Sequence, residues 1–212
     1  MKTLDCAAFK AMFRAAAERI EESRAELTEL DSRIGDGDHG TTMAKVMELV
    51  VLTADSCQGA DVKGMFAKIG MAILSVGGGA TVPLFGSLFG GMGRAVPEGT
   101  TEVDAAMLSA MFESGTQRLL RFSQASLGDK TLVDALLPAV DAMKAEAAGG
   151  DAAAILRAAA KAAAEGSEKT KEYIAKHGRA KNLGERAIGI PDPGSVSVSL
   201  IFAAFADAAK GV

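Results

Sequence analysis

The sequence predicts an all-α fold that forms one domain over residues 1–212. Three observations predict it: apolar residues recur at helical spacing through most of the chain, no segment is assigned as a strand, and no linker is long enough to separate two domains. Of the 212 residues, 49% are hydrophobic and 24% are charged, which is typical of a globular chain with one buried core. We expect eight helices.

These helices are predicted from apolar residues three or four positions apart, which share one face of a helix. The first set is Phe9, Met12, Phe13, Ala16 and Ile20. The spacing recurs in Met43 to Val50, Phe85 to Met92 and Val133 to Val140, and further helices fit residues 61–75, 103–122, 151–177 and 195–209. The last segment begins with a strand-like alternation of Ser and Val, but Val198, Ile201, Phe202 and Phe205 restore the helical period.

Composition excludes several classes of protein. A net charge of −4 gives no electrostatic reason to bind nucleic acid or an anionic membrane. With only Cys6 and Cys57, neither a disulfide framework nor a Cys-based zinc site is possible. The uncharged stretch from Ile69 to Gly93 could cross a bilayer, but consecutive glycines and Pro83 divide it, so two buried helices are predicted. The charged N-terminus does not fit a secretion signal, and we expect a cytoplasmic protein.

The main motif is an acidic, glycine-rich loop. Asp31, Asp36 and Asp38 fall within eight residues, and the glycines between them allow the loop to aim three carboxylates at one point. Such carboxylates repel one another without a cation, and hard oxygen ligands favour Mg²⁺ or Ca²⁺ over zinc, with Mg²⁺ as the first expectation. An EF-hand starting at Asp36 fails because its later ligand positions fall on Gly40 and Met47.

Two nucleotide-binding motifs are also disfavoured. Gly35, Gly37 and Gly40 fit the dinucleotide-binding glycine pattern, but a charged helical run precedes them in place of a buried strand. The run Gly128 to Thr131 carries Asp where a phosphate-binding P-loop requires Gly. The remaining interpretation is an acidic loop that leads into a helix. The first amides of that helix, at Gly40, Thr41 and Thr42, favour an anion. Metal and amides together suggest a nucleotide polyphosphate, while simple helix capping by Asp31 and Asp36 with a solvated Asp38 stays open.

Other loops could share this site. The run Gly77-Gly78-Gly79 leads to a helix with Thr81 as its predicted cap and Pro83 in its first turn, and its amides could wrap a phosphate or form a simple tight turn. Lys130, Arg179 and Arg186 are candidate phosphate partners, with Arg preferred for its forked geometry. The segment Pro191 to Gly194 could support a base or ribose, or be only a rigid turn. His39 is expected to orient a phosphate or stabilise the acidic loop.

Several of these runs together resemble one known family. The runs Ile34 to Gly40, Gly77 to Ala80, Gly128 to Thr131, Gly178 to Ala180 and Leu183 to Arg186 through Gly194 closely resemble the nucleotide-binding L subunits of dihydroxyacetone kinases, in the same order across nearly the whole chain. The acidic loop alone also resembles the kinase domain of bacterial fatty acid kinases, which lack the later runs.

The resemblance implies a closed barrel of eight antiparallel helices, with a nucleotide (ADP or ATP) and two Mg²⁺ ions at one end. It implies Asp31, Asp36 and Asp38 as metal ligands and catalytic residues, with Arg179 positioning the transferred group. The implied nucleotide contacts are His39, Gly40, Thr41, Thr42, Ala80, Thr81, Leu132, Arg179, Asp192, Pro193 and Gly194. This chain has Thr81 where relatives often have Ser, and Leu132 where Met is common.

The resemblance also implies an activity: transfer of a phosphoryl group to dihydroxyacetone or a similar short ketose held on a separate K subunit. The chain alone is then expected not to phosphorylate substrate. Bound ADP would be recharged in place by a phosphohistidine carrier of the phosphotransferase system, or ATP would exchange freely in a two-component kinase for dihydroxyacetone or erythrulose. Two other functions stay open: a regulatory module that holds a nucleotide and docks a transcription factor, and a helical structural protein. The chain could also form a homodimer.

Overall fold

The structure, a computed structural model, describes residues 2–59, 61–77 and 79–210. The elements in chain order are β1 (Thr3–Asp5), α1 (Cys6–Glu22), α2 (Arg24–Ile34), α3 (His39–Ser56), α4 (Val62–Leu74), α5 (Thr81–Arg94), β2 (Glu102–Asp104), α6 (Ala105–Ser123), α7 (Val133–Glu146), α8 (Ala152–Lys169) and α9 (Pro193–Ala208). Short 3₁₀ segments cover Ala147–Gly149, Thr170–Glu172 and Arg179–Ala187. The all-α prediction is confirmed, and none of the helices in the described residues has the length and hydropathy needed to cross a lipid bilayer.

Helices α4 and α5 form where the long uncharged stretch predicts two helices. Pro83 lies in the first turn of α5, as expected. Thr81, however, is not the cap: Ala80 holds that position, no side-chain cap bond forms, and the Thr81 hydroxyl instead lies 3.5 Å from Nδ1 of His39. Gly78 lies outside the described residues.

The described residues contain nine α-helices where eight were expected. The additional helix is α2, which buries only Leu27 and Ile34, too few apolar residues to show the period. It is separated from α1 at Ser23, whose N–H donates to the carbonyl of Arg19 at 3.2 Å.

Two short strands were not assigned from the sequence. β1 and β2 pair antiparallel with Leu4 opposite Val103, and these are the buried residues of each strand. Three residues are too few for an alternating pattern to be visible. The last residue of each strand caps the helix that follows: Asp5 accepts from the N–H of Ala8, and Asp104 accepts from the N–H of Met107.

The predicted helix 151–177 ends early, at Lys169. Buried Thr170 explains the end: its hydroxyl donates to the carbonyl of Ser167 at 2.6 Å and accepts from the N–H of Asp192 at 2.9 Å. A side chain that bonds to the backbone in this way competes with continued helix. The chain beyond it becomes a loop.

The helices contact one another in a ring. α1 packs on α3, α3 on α4, and each later helix on the next as far as α9, which returns to α1. Helix α2 contacts α3 and α9. The closed barrel of eight antiparallel helices stays a prediction, which this contact order fits.

Aromatic residues fill part of the main core. The rings of Phe9 and Phe66 meet edge to face with centroids 5.0 Å apart, and Phe13 contacts Phe66, Phe89 and Phe205. Burial of each such side chain contributes about 1.5–3 kcal/mol. The cluster joins α1, α4, α5 and α9.

Candidate functional site

The three acidic residues of the main motif lie together in the structure. Asp31 is in the last turn of α2, and Asp36 and Asp38 lie in the loop before α3. One carboxylate oxygen from each residue lies within 4.8 Å of the other two, and Asp36 and Asp38 are exposed while Asp31 is half-buried. The arrangement presents three hard oxygen donors to one point, which is the ligand type that Mg²⁺ prefers.

The backbone explains this convergence. A Cβ at Gly35 would collide with Oδ1 of Asp31, and Gly37 has a φ of +75°, in the left-handed region that glycine favours. Asp31 Oδ2 accepts from the N–H groups of Asp38 and His39 at 3.0 and 3.2 Å. Asp31 therefore caps the start of α3. The same side chain is both a helix cap and a predicted metal ligand.

The first turn of α3 lies beside these carboxylates, but the predicted amide of Thr42 is already bonded within the protein. The N–H of Thr42 donates to the carbonyl of Asp38 at 2.9 Å. Gly40 is packed so closely on α2 that a Cβ there would collide with the carbonyl of Arg24. Thr42 lines the adjoining cavity, whereas Gly40 and Thr41 do not.

His39 is buried between two hydroxyl groups. Its Nε2 lies 2.8 Å from Oγ of Ser197, and its Nδ1 lies 3.5 Å from Oγ1 of Thr81. Burial lowers the pKa of His39 against the opposing effect of Asp31 and Asp38, so the ring favours the neutral form. The side chain thus connects the N-terminal parts of α3, α5 and α9, and it also lines the cavity.

Arg179 reaches the acidic loop from a distant part of the sequence. Nη2 of its guanidinium group lies 2.7 Å from Oδ2 of Asp36. Arg186, the other candidate arginine, is exposed, its Nε donates to the carbonyl of Leu183, and it does not line the cavity. Of the two arginines, Arg179 is the one placed beside the carboxylates.

Lys130 is also occupied by the protein itself. Its side chain is 2% exposed, and its Nζ donates to the carbonyls of Thr170 and Ile190, the latter at 2.6 Å. Burial lowers its pKa, and the charges of Asp192 and Asp134 oppose that effect. The predicted phosphate partner is therefore a buried link between loops.

Asp192 caps the last helix. Its Oδ2 accepts from the N–H of Ser195 at 2.7 Å, and Pro193 follows as the first residue of α9. Burial raises the pKa of Asp192 to about 7, with a further contribution from the charge of Asp134. Asp192, Pro193 and Gly194 all line the cavity.

A cavity of about 720 Å³ adjoins these groups, which is within the range of small-molecule sites. It is lined by most residues that the sequence singled out: Asp31, Asp36, Asp38, His39, Thr42, Ala80, Thr81, Lys130, Leu132, Arg179, Asp192, Pro193 and Gly194. Their roles in binding stay predictions. Loops far apart in sequence therefore meet at one cavity.

Sequence reasoning missed several lining residues: Leu84, Phe122, Ser123, Ala125 and His177. Phe122 is the largest of them and is 61% exposed. It lies three positions after buried Leu119, so the helical period would have assigned it to the core. The spacing of apolar residues therefore does not predict that Phe122 lines the cavity.

The chain is similar to known proteins over most of its length. The model of the DAK2 domain family matches residues 33–207. The ADP-binding subunit DhaL of the PEP-dependent dihydroxyacetone kinase 2 of Listeria innocua is 39% identical over 196 residues, covering 92% of this chain and 90% of its own. The corresponding subunit of Escherichia coli is 34% identical and covers 87% and 88%.

A solved structure is also similar. The dihydroxyacetone kinase of C. freundii in complex with AMP-PNP and Mg²⁺ superimposes with a TM-score of 0.73 at 25% identity. The match covers 93% of this chain and 33% of that one, so the present chain corresponds to about a third of the solved protein.

Proposed function

This chain belongs to the DAK2 domain family, alongside the ADP-binding subunits of dihydroxyacetone kinases, and from that premise we propose that it is the nucleotide-binding subunit of such a kinase. The observation that carries the proposal is the meeting of three carboxylates, Arg179 and the start of α3 at one cavity. Carboxylates hold divalent cations, and a guanidinium group holds phosphate oxygens. A nucleotide with Mg²⁺ requires both.

Within this proposal the acidic and the basic residues have different roles. Asp31, Asp36 and Asp38 would hold two Mg²⁺ ions, which neutralise charge on the phosphate oxygens when bound. Arg179 would turn from Asp36 toward the transferred phosphoryl group, because its fork matches the geometry of phosphate oxygens. His39 would keep the acidic loop in register with α5 and α9 through Thr81 and Ser197.

The substrate and phosphoryl donor are proposed from the relatives. We expect dihydroxyacetone, presented by a separate K subunit, and bound ADP recharged by a phosphohistidine carrier. The names of PEP-dependent and PTS-dependent relatives support this donor. A second candidate is a kinase that exchanges free ATP and acts on erythrulose, because a D-erythrulose kinase of Mycolicibacterium smegmatis is 32% identical over 92% of this chain, which spans 34% of that protein.

The first test is nucleotide binding by the purified chain with Mg²⁺, measured by isothermal titration calorimetry. Asp36→Asn removes a metal-ligand charge and one partner of Arg179, and we expect it to weaken Mg²⁺–ADP binding at least about tenfold. Asp55→Asn is the matched control, since Asp55 is an exposed carboxylate of α3 that pairs with Arg14 away from the cavity. Wild-type affinity in Asp36→Asn would overturn the proposed site.

The donor can be distinguished with the same preparation. The sequence has no Trp and a single Tyr, so a bound adenine dominates the ultraviolet absorption near 260 nm. ADP that stays bound through gel filtration supports recharging in place. A protein that is purified empty and takes up ATP only with Mg²⁺ supports the exchanging kinase.

A further inference from the structure

Asp129 does not line the cavity, yet it joins two of the loops that do. Its side chain is 9% exposed, although it carries a charge and lies in a loop. We propose that Asp129 is a positioning residue: its carboxylate holds the segment Lys176 to Arg179 in place, so that Arg179 lies beside Asp36. The inference rests on the proposed function in one respect, which is that Arg179 contacts the nucleotide phosphates.

Asp129 accepts several hydrogen bonds from two loops. Its Oδ1 accepts from Nζ of Lys176 at 2.7 Å, and its Oδ2 accepts from Nε2 of His177 at 3.1 Å and from the N–H of Ser126 at 2.8 Å. The backbone adds a fourth bond, from the N–H of Lys176 to the carbonyl of Asp129 at 3.1 Å. The bonds to Lys176 and His177 connect residues 47 and 48 positions apart in sequence.

The charge state of Asp129 strengthens these bonds. The hydrogen bonds from Lys176 and from the N–H of Ser126 hold the pKa of Asp129 at about 2, well below its usual value. The carboxylate is therefore ionised at neutral pH, and its bonds to the ammonium and the imidazole are of the stronger, charge-assisted kind.

The path from Asp129 to Arg179 is short. Only Gly178 lies between His177 and Arg179, and its φ of +61° turns the backbone sharply. Arg179 is 69% exposed, so burial does not fix its side chain. On the C-terminal side of Arg179, a small apolar cluster of Ile34, Ala187 and Ile190 holds the chain. On its N-terminal side, the chain is held by Asp129.

The neighbouring Lys130 holds the same loop. It bonds to the carbonyls of Thr170 and Ile190, on either side of the segment that Asp129 binds. Adjacent residues of the α6–α7 loop thus hold the α8–α9 loop at three places. The run Gly128 to Thr131, which resembles a phosphate loop in part, serves to hold another loop.

The test is a double-mutant cycle on binding of AMP-PNP with Mg²⁺, measured by calorimetry on the full chain. Asp129→Asn and Arg179→Gln are each expected to weaken binding about tenfold. The double variant should bind no more weakly than Arg179→Gln alone, because both changes remove the same contact. The proposal is wrong if the losses of affinity of the two single variants multiply in the double variant. It is also wrong if Asp129→Asn binds with wild-type affinity.

A second set of variants separates positioning from folding. Lys176→Met removes one donor and should weaken binding, whereas Lys176→Arg keeps a cationic donor and should restore it. Asp207→Asn, which changes an exposed carboxylate bonded to Lys210, is the control and should bind as the wild type does. If Lys176→Met binds normally while Asp129→Asn does not fold, the anchor is structural only and the proposal is wrong.

Failure of this inference is distinguishable from failure of the proposed function. If Arg179→Gln binds normally while Asp36→Asn does not bind, the site stands and the role given to Asp129 is wrong. If Asp36→Asn binds normally, the proposed function itself is wrong.

Discussion

Lys130 is the most deeply buried charged side chain around the cavity. Moving an ammonium group out of water is costly unless its protons find acceptors, and here the carbonyls of Thr170 and Ile190 accept from it. Its φ of +59° is in the left-handed region, which a residue with a side chain rarely adopts. The hydrogen bonds of the Lys130 side chain thus offset the cost of its unfavourable backbone conformation.

Lys130→Met is predicted to lower the free energy of unfolding by about 2–4 kcal/mol, because two buried carbonyls lose their donor. The measurement is urea denaturation without nucleotide. Lys161→Met is the control, since Lys161 is exposed on α8 and forms an ion pair with Glu165 on the same helix; its effect should stay within about 0.5 kcal/mol. Equal losses in the two variants would contradict the role assigned to Lys130.

At the scale of single residues, local spacing explains which site residues could be predicted. Asp31, Asp36 and Asp38 lie within eight residues, and glycines between them indicate that they converge. The partners of Lys130 lie 40 and 60 positions away, and no local pattern marks them. Local spacing does not separate Arg179 from Arg186; the family resemblance implied Arg179, and the structure places it beside Asp36.

Helices α4, α5 and α6 approach one another through glycines. A Cβ at Gly70 of α4 would come within 2.6 Å of the backbone of Gly90 in α5, and a Cβ at Gly91 would come within 2.7 Å of Gly115 in α6. Backbone atoms cannot move aside as a flexible side chain can. The close packing of these helices therefore depends on particular glycines.

Gly70→Ala is predicted to destabilise the protein by about 1–3 kcal/mol through overpacking. Gly90→Ala is the matched control, since its Cβ would lie at an ordinary 3.8 Å from Gly70 Cα, and alanine is the better helix former by about 1 kcal/mol. Thermal unfolding of the two variants should thus shift in different directions. If Gly90→Ala destabilises the protein as much as Gly70→Ala does, the effect of Gly70→Ala does not come from overpacking at that contact.

The sequence predicted elements well where apolar faces are long. α1, α4 and α9 carry full apolar stripes and lie where they were expected. α2 and the two strands bury one or two residues each, and the end of α8 is determined by the hydroxyl of Thr170. Such features depend on tertiary contacts, which periodicity does not report.

In the whole molecule, every second helix connection reaches the cavity. The lining residues come from the α2–α3, α4–α5, α6–α7 and α8–α9 connections and the helix ends beside them. The segment 95–101, which connects α5 to β2, contributes no lining residue. A ligand in this cavity would therefore contact four separate connections at once.

Hydrogen–deuterium exchange with and without Mg²⁺–ADP tests this arrangement. We expect slower amide exchange in all four connections, at 35–42, 79–82, 124–132 and 176–194, because ligand binding suppresses local opening. The segment 95–101 is the internal control and should exchange as before. Protection confined to the acidic loop would contradict a site shared by four connections.

The contact between α1 and α9 has a consequence for biosynthesis. The ring of Phe13 packs against that of Phe205, with centroids 6.1 Å apart, although the two helices lie at opposite ends of the sequence. At a translation rate of about 5–20 residues per second, the ribosome takes on the order of 10–30 s to add the residues between α1 and α9. The nascent chain must keep part of the apolar face of α1 uncovered for that time. Changes at this seam would therefore reduce the yield of newly made protein as well as the stability of the finished fold.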